Sequence, residues 1–226
     1  MSPGPPKEDL PSPSTPTTDD PDVDGFGRRV NVAEASANPT DQESIVPTLR
    51  SVLENDTLVY FPSGRYIVNE SVDVRDFMKF GFLGKGATIV PKEGSSRYLF
   101  SVSSQDHPAT FRFGGCHFDF SAPRTSGRLL QALVSDQLYV HDVSATGVAD
   151  VGPSLSWFDV TDEDGTGLLD RLVLPEGATP DTTGTGSCVG NYHRGVLTYR
   201  DCQIAGFADS GLDADPPSGQ IVIDGG

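Results

Sequence analysis

Three acids in one stretch of this chain, Asp209, Asp213 and Asp215, are of the residue type that cuts a glycosidic bond. Two carboxyl groups about 5 to 9 Å apart suffice: one protonates the leaving oxygen while the other acts as base or nucleophile. The plain alternative is a set of solvated loop acids. Asp159, Asp162, Glu163 and Asp164 precede Gly165. Carboxylates gathered at a glycine turn are hard oxygen donors of the kind that hold Ca²⁺. Val160 stands where an EF-hand loop needs a ligand, and a solvent-facing acidic turn fits the pattern as well.

A second neighbourhood is aromatic and basic: Tyr192, Arg194, Tyr199 and Arg200. Such groups suit stacking against sugars and paired hydrogen bonds to their carboxylates. The single tryptophan, Trp157, is either a sugar platform or a core residue. His117 and His141 fall near equivalent points of consecutive repeats. They are expected side by side on one outer face, as a solvated pair or as a metal or base site. Asp142, Asp170 and Asp201 recur at turns and are expected to line one edge. A column of like charges is costly unless cations or water screen it. They are read first as turn residues and second as weak cation ligands.

What must position these groups is an irregular repeat. A short apolar strand runs into Gly or Asp and often into a second strand. Copies are Phe80-Gly81-Phe82-Leu83-Gly84, Phe111-Arg112-Phe113-Gly114-Gly115, Leu138-Tyr139-Val140-His141-Asp142, Leu197-Thr198-Tyr199-Arg200-Asp201 and Ile221-Val222-Ile223-Asp224-Gly225. Leu168-Leu169-Asp170 is a weaker one. Turn residues at 84, 115, 142, 170, 201 and 225 give steps of 31, 27, 28, 31 and 24. A period in this range marks a solenoid. Units of strand and turn without helix predict an all-β, right-handed parallel β-helix. The longest excursions, 175–191, 121–127 and 209–218, are where a ligand is expected, because insertions in repeat folds gather on the binding side.

Residues 1–26 are Pro, Ser, Thr and Asp with almost no large apolar side chain, and predict a disordered linker. Residues 27–226 form the β-helix domain. Thr40-Asp41-Gln42-Glu43 matches a helix capping box. Ile45, Val46, Leu49, Val52 and Leu53 then recur at helical spacing, which predicts one helix plugging the N-terminal end of the solenoid. Gln220–Gly226 reads as the start of another repeat, so the domain is expected to continue past Gly226.

The chain carries 32 Asp and Glu against 16 Lys and Arg, a net charge of −16. Acid in such excess, with only four lysines, matches proteins that stay soluble in high salt. It argues against nucleic acid and anionic membrane as partners, since both need clustered cations. No apolar run is long enough to insert in a membrane. Three cysteines, Cys116, Cys188 and Cys202, make no disulfide framework; Cys116 and Cys202, each just after a turn residue, read as core filling.

Val59-Tyr60-Phe61-Pro62-Ser63-Gly64-Arg65-Tyr66-Ile67-Val68 and Phe82-Leu83-Gly84-Lys85-Gly86-Ala87-Thr88-Ile89 resemble two signature stretches of the pectate-lyase-like superfamily. The resemblance runs over about residues 30 to 226. It is nearest to uncharacterised haloarchaeal members. It implies an extracellular or cell-surface protein that binds or processes polysaccharide. Its alternative is a polysaccharide lyase or glycoside hydrolase acting on an acidic glycan. The superfamily's calcium site and catalytic Arg do not align here. Its Asn-Thr-Asp-Gly and Gly-His-Gly signatures are absent from the chain.

Overall fold

The computed structural model describes residues 25–35, 40–94, 98–122, 125, 127–148, 154–174, 176–177 and 184–225. The linker expected at 1–26 lies outside the described residues up to 24, while Phe26 is buried. The chain is an all-β, right-handed parallel β-helix of about six turns.

The main ribbon stacks β1 (Arg28–Asn31), β3 (Thr57–Phe61), β6 (Lys79–Pro91), β8 (Thr110–Asp119), β10 (Gln137–Thr146), β12 (Thr166–Leu174), β14 (Val196–Arg200) and β17 (Gln220–Asp224). The second sheet stacks β5 (Val72–Arg75), β7 (Tyr98–Ser104), β9 (Arg128–Val134), β11 (Ser154–Val160), β13 (Thr185–Val189) and β16 (Leu212–Ala214). Every pairing is parallel. One turn is a long ribbon strand, bent at a corner, followed by a strand of the second sheet.

Alternation along each strand decides what faces the lumen. In β8, Phe111, Phe113, Cys116 and Phe118 point in, while Arg112 and His117 point out. Register then stacks like on like. One inward column is Val30, Val59, Phe82, Phe113, Val140, Leu169, Tyr199 and Ile223. Phe82 lies 4.9 Å from Phe100 of the second sheet, and Phe100 lies 5.3 Å from Phe113. These rings join the two sheets. Cys116 is core, as expected, and burial pushes its thiol up to about 12.

Each corner needs one residue in the left-handed backbone region, and Gly115, Asp142, Arg171, Asp201 and Gly225 supply it. At Gly115 a side chain would also meet the Gly84 carbonyl oxygen at 2.0 Å. Two expected corner residues shift. The left-handed residue is Arg171, not Asp170, and Gly86, not Gly84. In β6, Leu83 pairs with Gly114 but Ala87 with Cys116, so its corner carries two extra residues.

The N-terminal helix is shorter than its periodicity predicts: α1 spans Val46–Arg50. The expected capping box is instead β2 (Thr40–Ser44), which pairs with β4 (Gly64–Val68). An open strand edge offers backbone partners to every peptide group, and that outweighs one cap. The first turn is held by Ser44, whose hydroxyl accepts from the Val46 amide at 3.2 Å. Val46 and Leu49 are buried, and α1 packs against β5, the first strand of the second sheet. The expected loops at 175–191 and 209–218 contain β13 and β16. Their lumen side was hidden by composition: inward Ser187 hydrogen-bonds the Tyr199 hydroxyl at 2.8 Å.

Replacing Phe82 by Ala removes the ring that links both sheets. It should cost about 3–5 kcal/mol, read as a fall in the urea midpoint at unchanged slope. A loss below about 1 kcal/mol would show that the core closes over the gap.

Candidate functional site

The outward residues of the ribbon form columns too. One runs Leu58, Gly81, Arg112, Tyr139, Leu168, Thr198 and Val222. Beside it runs Tyr60, Leu83, Gly114, His141, Asp170, Arg200 and Asp224. Between these and the ribbon's leading edge lies a basin of about 360 Å³, lined by Thr110, Arg112, Gln137, Tyr139, Thr166 and Leu168. It meets a second basin of about 460 Å³ beside Gly25, Asn55, Met78 and Lys79, which shares Thr110, Arg112 and Gln137. At its rim the Phe26 ring carries the Lys79 ammonium 5.0 Å and the Arg112 guanidinium 5.9 Å from its centroid. Phe26 packs with Leu58, Tyr60 and Leu83 in a small cluster outside the main core.

The other flank of the face is an ion-pair network. The Arg171 guanidinium donates to both oxygens of Asp142 at 2.6 and 2.9 Å, and to Asp170 at 2.5 Å. Arg200 donates to the other Asp170 oxygen at 3.0 Å. The Asp170 side chain is only 3% exposed, so two guanidinium groups offset the cost of burying it. Their hydrogen bonds hold its carboxyl below the usual range against burial, with Arg200 contributing most. The Arg171 hydrogen bond pulls Asp142 down to about 2. His141 lies 3.0 Å from Asp142 through Nδ1 and stacks on Tyr139 at 4.7 Å. Its ring covers Gly114, where a Cβ would come within 2.2 Å of Nε2.

The residues singled out by sequence are divided among several places. Arg200 belongs to this face. Tyr199, its neighbour, points inward and is buried, so it is a core residue and not a sugar contact. Trp157, Cys188 and Asp213 share an outward column of the second sheet. The indole lies across Gly190 and donates to Asp159 at 3.1 Å. Tyr192 is exposed on the turn between β13 and β14, where Arg194 donates to the carbonyls of Asn191 and His193. Asp209 and Asp215 flank β16 on exposed backbone, and Asp209 is 3.5 Å from the Thr185 hydroxyl.

The four carboxylates considered for calcium do not converge. Asp159 is buried in β11, where its oxygens accept from Trp157 and from the Gly190 amide at 2.7 Å. Asp162, Glu163 and Asp164 are exposed, and Asp162 accepts from the Asp164 amide at 3.0 Å. Among the described residues no group of three or more His, Cys, Asp or Glu side chains is placed to hold a metal ion. The expected histidine pair is also separated. His141 pairs in register with Gly114, whereas His117 bonds Ser144 at 2.9 Å and Thr146 at 3.0 Å beyond the corner. The expected aspartate column is broken by Arg171, which sits between Asp142 and Asp201 at the corner.

Sequence reading missed Lys79, Arg112 and Tyr139. Their signal was present: Arg112 and Tyr139 are the outward residues of two apolar strands set 27 positions apart. Comparison with family models, with curated proteins and with solved structures returns no match. Among the described residues no helix is long and apolar enough to cross a membrane.

Asp142 has a lowered pKa in the folded state, so its contribution to stability is complete above about pH 4, the unfolded value, and fades as pH falls through about 2. Arg171→Met should lose that contribution. Its stability deficit in urea should be largest near neutrality and narrow between about pH 4 and pH 2. A deficit constant across that window would mean the ion pairs contribute nothing.

Proposed function

We propose that this is an extracellular or cell-surface β-helix protein of the pectate-lyase-like kind that binds an anionic polysaccharide along the outer face of its main ribbon. The observation that carries this reading is the joined basin. On a chain of net charge −16, Lys79 and Arg112 sit together at its rim over the Phe26 ring, with half-buried Tyr139 in the lining. Guanidinium and ammonium groups next to rings suit carboxylated sugars, which present an apolar ring face and a charged edge. The basin crosses several coils and is open along its length, which favours a polymer over a small ligand. A dense carboxylate surface elsewhere keeps a polyanion off the rest of the molecule.

Binding without cleavage is the preferred reading. Asp142 and Asp170, on the other flank of the face, are held in ion pairs with Arg171 and Arg200, and Asp56 is the one carboxylate among the residues that line the basin. Asp209, Asp213 and Asp215 belong to the segment around β16, in the second sheet.

Calorimetry with polygalacturonate, alginate and a neutral glucan tests the reading. Arg112→Ala and Lys79→Ala should each weaken binding of an acidic polymer about tenfold, the worth of one charge-assisted hydrogen bond. Both substitutions are at the surface and should leave the circular dichroism unchanged. Equal affinity for the neutral glucan, or no loss in either variant, would overturn it. New reducing ends or unsaturated-product absorbance would replace binding by cleavage.

A further inference from the structure

The second sheet has an outer face of its own, and none of its residues lines the ribbon basin. Its central outward column runs Asp73, Ser101, Gln131, Trp157, Cys188 and Asp213. Trp157 is half-buried there and lies flat along the sheet. A Cβ on Gly190 would meet the indole at 2.3 to 2.8 Å, so only glycine lets the ring rest on the backbone. The indole nitrogen donates to one oxygen of Asp159 at 3.1 Å, and the other oxygen accepts from the Gly190 amide at 2.7 Å. One carboxylate therefore fixes both the ring and the glycine beneath it. Asp159 is fully buried, and both of these donors are neutral. Burying a carboxylate on neutral donors costs stability. Covering a strand with apolar bulk needs no such group, whereas setting the angle of an indole does.

Tyr192 is 56% exposed and stands two residues past Gly190, at most about 7 Å along the chain. The turn that carries it is braced. The His193 amide bonds the Gly190 carbonyl at 3.3 Å. The buried His193 ring accepts from the Val160 amide through Nδ1 at 3.2 Å, which leaves Nε2 to donate to the Gln220 carbonyl at 3.3 Å. Arg194 ties the carbonyls of Asn191 and His193 at 2.8 and 2.7 Å. Val160 ends the strand that holds Trp157, so both aromatic residues are positioned from β11.

We propose that Trp157 and Tyr192 form a second sugar-binding site, which stacks the ring of a neutral saccharide. The site is separate from the ribbon face and does not depend on the polyanion reading. A pyranose presents C–H groups of partial positive charge on its faces and hydroxyls at its edges. Aromatic faces carry the complementary negative charge. Gln131 on one side of Trp157 and Asp213 on the other supply hydrogen-bonding groups for the hydroxyls. The surroundings are acidic: Asp213 is exposed, as are Asp162, Glu163 and Asp164 on the turn after β11. The nearby guanidinium, Arg194, is engaged with backbone carbonyls. A carboxylated sugar would meet like charge here, and a neutral one would not.

Trp157 is the single tryptophan of the chain, so intrinsic emission reports this site alone. Titration of the full chain with cellohexaose, mannohexaose and maltohexaose should shift the emission for at least one of them, with saturation at about millimolar concentration. The bound sugar should protect the indole from acrylamide quenching. Stacking is not a charge interaction, so the response should persist at about 1 M salt, where ion pairs are screened. Tyr192→Ala, at an exposed position, should weaken binding about threefold to tenfold. Trp157→Leu keeps an apolar cover over Asp159 but has no flat face, and calorimetry should find no neutral-sugar binding to it. Emission unmoved by all three hexasaccharides would overturn the proposal, as would an equal response to polygalacturonate or undiminished binding by Tyr192→Ala. Loss of polygalacturonate binding in Lys79→Ala with the emission response intact would show that the two faces act separately.

Discussion

Each turn of this molecule buries its apolar side chains against the same positions of the turns on either side. Everything else rests on that register. Phe82 packs between Val59 and Phe113 in its column and reaches Phe100 across the lumen. A ring in such a site is worth about 1.5–3 kcal/mol of burial, and each ring pair adds about 0.5–1.5 kcal/mol. Parallel pairing is what makes the columns continuous, since it brings each strand back at the same height. A slip of one residue would turn every Phe outward.

Register also dictates the corners. Each ribbon strand must bend at the same level, which takes one left-handed residue per turn. Glycine adopts it freely and Asp tolerates it. Arg171, with φ of 57°, is the unusual occupant, in a region that costs an ordinary residue about 1–2 kcal/mol. Its hydrogen bonds to Asp142 and Asp170 oppose that cost, and they exist because the corner aims Arg171 between two turns. The strained residue, the buried carboxylate and the stacked His141 are one consequence of a bend repeated at fixed height.

The outer face is under no such constraint. Inward positions must match their neighbours, while outward positions meet solvent and are free to differ from turn to turn. Leu58, Gly81, Arg112, Tyr139 and Leu168 share one outward column with no common chemistry. That freedom allows a basin rimmed by Lys79 and Arg112 on a chain of net charge −16.

Alternating apolar residues with a recurring turn were enough to read a parallel β-helix from the chain, because burial forces that pattern wherever a strand has one wet face. The inward place of Cys116 followed from the same rule. The capping box was misread because a local pattern cannot register that β4 offers an open edge to Thr40–Ser44. β13 was read as loop because its inward Ser187 is polar, and only its bond to Tyr199 explains it. Asp170 and Arg171 are adjacent in sequence, and which of them turns the corner depends on the neighbouring coils. The chain by itself determined the winding and the contents of the lumen, since both are set by local alternation. The tertiary structure alone decided which outward side chains meet. Contacts between residues some 30 positions apart depend on the length of each excursion, and no local pattern records how far a loop carries the chain before it returns.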